Sequence, residues 1–88
     1  MSGSDENLQL YISPNPAKDF INLKIETEQK INSIEIHDLS GRLIFEMNLM
    51  MEDAVFDVQI NISDLSPGLY YISAKTESSY TSMKWVKQ

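Results

Sequence analysis

The sequence predicts an all-β fold, an antiparallel sandwich of about seven short strands. Three observations carry this. Apolar and polar residues alternate with period 2 from Leu8 onward. Turn signals recur every 10–12 residues or so. No stretch shows a 3.6-residue apolar period with helix caps at its ends.

The elements follow in order. Leu8, Leu10 and Ile12 alternate with Gln9 and Tyr11. Ile21, Leu23 and Ile25 alternate with Asn22, Lys24 and Glu26. Ile34 and Ile36 form a third strand with Ser33, Glu35 and His37 on the other face. Leu43, Phe45, Met47 and Leu49 make a fourth; Glu46 to Asp53 could instead form one helical turn, but a strand running into a loop fits as well. Phe56, Val58, Ile60 and Ile62 mark the fifth, and Tyr70, Ile72 and Ala74 the sixth. The seventh, Ser79 to Gln88, is rich in β-formers on both faces, so its phase is the least defined. Strands with one apolar and one polar face bury the first against a second sheet.

The connections have their own chemistry. In SPNPAKD, Pro14 and Pro16 lack amide donors and hold Ser13 and Asn15 extended, which predicts a stiff, non-pairing corner. In DLSGR, Asp38 suits an Asx-type turn and Gly41 can take a positive φ, giving a tight hairpin. In SPGL, Pro67 and Gly68 occupy the second and third positions of a type II turn. The shared Asp-Leu-Ser of Asp38 and Asp64 reads as one turn chemistry used twice.

Composition narrows the function. A chain of 88 residues forms one small domain with little room for a deep active site. The net charge of −6 opposes binding to nucleic acid or to anionic lipid, which need clustered Lys and Arg. No apolar run is long enough to insert into a membrane. There is no cysteine, hence no disulfide and no thiolate site. Residues 1–7, MSGSDEN, read as an artificial remnant or a linker end, and residues 8–88 as the domain. No signal peptide is seen.

Candidate chemistry is sparse. His37 is the lone histidine and falls on a polar face, where a solvent-facing role is the common one; a zinc set lacks ligands, and His37 is the one conventional base a Ser nucleophile could use. The acidic residues lack calcium-loop spacing. No nucleophile elbow, P-loop or dinucleotide fingerprint occurs. The expectation is a non-enzymatic domain without cofactor or metal. Phe20, Phe45, Phe56 and Tyr70 fit buried phases. Tyr71, Tyr80 and Trp85 are the one candidate row of exposed aromatics. That row would serve the alternative function, a carbohydrate-binding or adhesive sandwich module. Lysines in KWVK could guard a terminal edge strand.

Taken as a set, the turns resemble the type A C-terminal sorting domain of the type IX secretion system (Por secretion system). The resemblance is carried by YISPNPAKD (Tyr11 to Asp19), the strand Phe20 to Ile25, IEIHDLSGR (Ile34 to Arg42), LSPGLY (Leu65 to Tyr70) and KWVK (Lys84 to Lys87). It spans about Leu8 to Gln88. Trp85 and the final Gln88 depart from the aliphatic-basic ending common in the family.

The resemblance implies an immunoglobulin-like sandwich acting as an export address. A domain of this kind directs an unknown fused cargo through an outer-membrane translocon, and a sortase-like surface protease commonly removes it. The cargo would pass the periplasm and end at the cell surface or in the medium. Pro14, Asn15 and Pro16 match the opening motif, Asp38 and Gly41 the central turn, and Gly68 and Tyr70 the later motif after Pro67. Lys84 and Lys87 match the basic tail. Recognition is expected mainly from Gly68, Tyr70, Lys84 and Lys87. A dimer through an edge strand is open to an isolated sandwich.

Overall fold

A computed structural model describes residues 8–27, 30–51, 55–77 and 79–88. The expected linker end at 1–7 lies outside them. Among the described residues seven strands are formed: β1 Gln9–Ser13, β2 Phe20–Glu26, β3 Ile31–Asp38, β4 Leu43–Met51, β5 Val55–Asn61, β6 Gly68–Thr76 and β7 Tyr80–Lys87. They make two antiparallel sheets, ordered β1-β2-β5 and β4-β3-β6-β7. This is the immunoglobulin-like sandwich expected, and residues 46–51 belong to a strand, not a helical turn.

The core is the product of the alternation. Leu10 and Ile25 are paired across β1 and β2, and Ile21 and Ile60 across β2 and β5. In the other sheet Ile36 lies opposite Ile72, and Tyr70 opposite Trp85. Ile21, Leu23, Ile25, Ile34, Ile36, Ile72 and Trp85 are essentially inaccessible. Each such aliphatic side chain contributes about 1.5–3 kcal/mol by leaving water.

Two expected burials are not met. Phe20 is 40% exposed, because it precedes Ile21 and the pleat turns it outward. Leu43 is exposed as well, while Ile44 and Phe45 both pack on the core. The cause is a bulge: Ile36 pairs with Phe45 but His37 with Leu43, so Ile44 is an extra residue. The side chain of Phe56 lies outside the described set.

The Asp38 hairpin is as expected. Asp38 Oδ1 accepts from the Ser40 amide at 3.0 Å, the Ser40 hydroxyl at 2.7 Å and the Arg42 amide at 3.0 Å. The Gly41 amide donates to the Asp38 carbonyl at 3.0 Å, and Gly41 has φ +91°. The type II turn at Pro67-Gly68 does not form. Gly68 has φ +152°, against about +80° at the third position of such a turn. Gly68 instead begins β6, paired with Lys87. The corner is held from further along: Tyr70 Oη donates to the Ser66 carbonyl at 2.6 Å, the tyrosine-corner arrangement of immunoglobulin-like sandwiches.

The Asp-Leu-Ser expectation is also corrected. The chemistry of Asp38 recurs three residues upstream of Asp64. Asn61 Oδ1 accepts from the Ser63 amide at 2.9 Å and its hydroxyl at 2.7 Å.

The SPNPA corner is not a non-pairing one. After β1 the chain leaves its sheet and lies beside β7 of the other, where Ala17 forms a parallel bridge with Lys87. The Ala17 amide donates to the Val86 carbonyl at 2.8 Å, and the Gln88 amide to the Ala17 carbonyl at 2.7 Å. The Ser13–Pro14 and Asn15–Pro16 bonds are cis.

Candidate recognition site at the C-terminal strand

The motif residues meet at one end of the four-stranded sheet. Asp38 pairs with Tyr70 across β3 and β6, and Tyr70 with Trp85 across β6 and β7. Gly68 pairs with Lys87 two residues further toward the end. Pro67 leads into Gly68, and Gly41 sits at the tip of the hairpin that starts from Asp38. Asn15, between the exposed Pro14 and Pro16, arrives from the other sheet. Its Oδ1 accepts the Val86 amide at 3.0 Å, across 71 residues of sequence. Neither flanking proline can donate, so the side chain of Asn15 and the main chain of Ala17 supply the contacts with the tail.

Within this cluster the four recognition candidates differ in what they can touch. Lys84 is exposed on the outer face of the sheet, opposite Tyr71. Lys87 is turned the other way. It is 7% exposed, and its Nζ donates to the Gln88 carbonyl at 2.8 Å. The two lysines are three residues apart, and an odd spacing on a strand puts them on opposite faces. Tyr70 is buried, with its ring stacked on Trp85 at 5.1 Å between centroids. Gly68 is exposed, and no atom of the described residues lies within 4 Å of where a Cβ would be. Its need for glycine is conformational, since a side chain is strained at this φ. Lys84 therefore offers the accessible charge, while Tyr70 and Lys87 shape the strand from within.

Trp85 overturns the aromatic row. It is 0% exposed, so Tyr71, Tyr80 and Trp85 do not form a platform. Tyr80, at 63% exposed, shares the outer face with the half-buried Tyr71, and the Ser73–Ser82 pair lies between them. The Trp85 indole N–H is buried with no acceptor among the described residues. An orphan donor of this kind costs about 1–3 kcal/mol. Sequence missed Trp85 because β-formers occupy both faces of β7. It also missed the role of Asn15, whose one local signal is an amide side chain set between two donorless residues.

Electrostatics at this end are modest. The Asp38 carboxyl is held below its usual range, first by the Ser40 hydroxyl and then by the Arg42 amide, with the Arg42 charge adding to them. Arg42 Nε lies 3.4 Å from Asp38 Oδ2. His37 is half-buried on the outer face, its Nε2 3.8 Å from Glu35 Oε1, while Glu35 Oε2 lies 3.5 Å from Lys75 Nζ. Among the described residues no three of His, Asp and Glu gather as metal ligands. Leu39, Leu43, Leu69 and Val86 are exposed apolar residues at this end.

The sequence motifs of this sandwich therefore converge on its C-terminal strand, at one end of the four-stranded sheet. The chain belongs to the family of secretion system C-terminal sorting domains, whose sequence profile matches residues 11–88. This is the type IX family that the motifs resemble. No curated protein sequence is significantly similar to the chain. Among solved structures it is similar to PorZ of Porphyromonas gingivalis, described as an essential bacterial surface component of the type-IX secretion system. The TM-score is 0.66 and the identity 18%, over 99% of this chain and 12% of that one. At that identity the likeness speaks to the fold alone.

Proposed function

We propose that this domain is a non-catalytic export address. It directs a fused cargo from the periplasm through the outer-membrane translocon of the type IX system. A sortase-like surface protease then removes it in the segment before Leu8, leaving the cargo at the cell surface or released. The observation that carries this is the family match over residues 11–88. The convergence of its motifs on β7 supports a role for that strand in recognition.

Deletion of Lys84 to Gln88 from a full-length cargo is expected to leave the cargo in the periplasm. Fractionation with immunoblotting reads this out. Normal export of the truncated cargo would refute the address. Deletion also exposes Ala17 and Asn15, so export of a Lys84→Ala cargo should be followed in parallel. A partial loss there assigns the effect to the exposed charge.

A further inference from the structure

We propose that the open half of the β7 edge, Tyr80 to Lys84, receives an added strand from a partner protein. The occupant is an extended segment with an apolar residue over Met83 and an acidic residue beside Lys84. The proposal rests on the export-address reading and names the surface that reading requires.

β7 ends its sheet, so among the described residues one side of it has no strand. Its register with β6 is unshifted from Tyr80 to Lys87. The Val86 amide and carbonyl bond to Asn15 and Ala17, so they point away from β6. Strand alternation then puts the main-chain groups of Tyr80, Ser82 and Lys84 on the same open side. None of these groups has a partner beyond β7 among the described residues. Unpaired edge groups in a regular, unbulged strand are a template for another extended chain.

The other edges are less suited. β1 has five residues and runs into Pro14. β4 shifts register twice against β3. β5 lies in the other sheet, and its ladder with β2 holds none of Gly68, Tyr70, Lys84 and Lys87. On β7 itself the chain fixes where a partner must stop. Asn15 and Ala17 already occupy the edge at Val86 and Gln88, leaving five residues, or about 17 Å, for the newcomer.

Side chains at the edge specify the occupant. Met83 has the same phase as Trp85 and faces the core side, yet it is 38% exposed. The sandwich leaves its rim uncovered, and an apolar residue of an added strand would cover it. Lys84 is exposed on the other face and forms no ion pair among the described residues. A carboxylate beside it completes the pair. A second copy is the weaker occupant, because two chains of net charge −6 repel.

The test is Ser82→Pro in a full-length cargo. The Ser82 amide points away from β6, so proline removes an edge donor and no β6–β7 hydrogen bond. The variant domain should keep the parent's circular dichroism spectrum, and export should fall by about tenfold or more while Ser82→Ala is exported normally. A folded Ser82→Pro cargo exported like the parent overturns the proposal. Should Ser82→Pro lose the fold, Met83→Lys carries the same test on a side chain already part-exposed. The deletion of Lys84 to Gln88 is run alongside. Its export would refute the address itself, whereas its retention beside normal export of Ser82→Pro refutes the edge alone. A dimer of the isolated domain that Ser82→Pro converts to monomer would assign the edge to a second copy and overturn the partner strand.

Discussion

Asp38-Leu39-Ser40 and Asp64-Leu65-Ser66 are the same tripeptide in two different structures. The first is self-sufficient: one carboxylate oxygen takes three donors, and Leu39 is 59% exposed. The second is held from outside. Asn61 makes the local turn, the Leu65 amide donates to the Ile62 carbonyl at 3.0 Å, and Leu65 packs against the core. Tyr70 then ties Ser66 from the next strand. The residues that follow decide the outcome. Gly41 can take a positive φ and close a hairpin within one sheet. Pro67 cannot, and its corner must cross from one sheet to the other. A short motif thus reports the preference of its side chains, while the distance to be spanned selects the acceptor.

The comparison can be broken at its distant anchor. Trp85→Ala removes the ring beneath Tyr70 and should cost about 3–5 kcal/mol. Hydrogen exchange should accelerate at residues 62–70 well before the 38–42 hairpin. Equal acceleration in both would mean that the corner is not anchored by the stack. Next comes the matched pair of leucines. Leu65→Ala should cost about 2 kcal/mol in urea unfolding, whereas Leu39→Ala should fall within about 0.5 kcal/mol of the parent. Tyr70→Phe keeps the stack and loses only the bond to Ser66, at about 1 kcal/mol.

The smallest effect is the pH dependence of Asp38→Asn. The folded pKa of Asp38 is lowered, so its stabilisation is present above the unfolded value. It is lost as pH falls through the folded one. The melting difference between parent and variant should therefore be open at neutral pH and close in acid. A difference that is constant with pH would remove the charge from the account of this hairpin.

Much of the fold was legible in the sequence because an isoleucine-rich alternation fixes which face of a strand is buried. Ile21 to Ile25 and Ile34 to Ile36 admit one phase only. β7 was harder, because Tyr80, Met83, Trp85 and Val86 are β-formers of both phases, and its neighbours in space settle the matter. Bulges are also hidden: nothing local in Leu43-Ile44-Phe45 says that two successive residues turn inward. At the candidate site, Asp38 was readable because its partners lie within four residues. Asn15 was not, because its partner is at the other end of the chain. Lys87 looked like a twin of Lys84 until the pleat separated them.

The bond between Asn15 and Val86 has a mechanical side. Ala17 and Lys87 run parallel, so tension between Leu8 and Gln88 draws the two segments past each other lengthwise. The hydrogen bonds at Asn15, Ala17 and Gln88 then share the load at once and do not open in sequence like a zipper. Survival under such a pull is set by the rate of rupture, not by equilibrium stability. A domain pulled at both ends would be clasped where the two pulled segments meet.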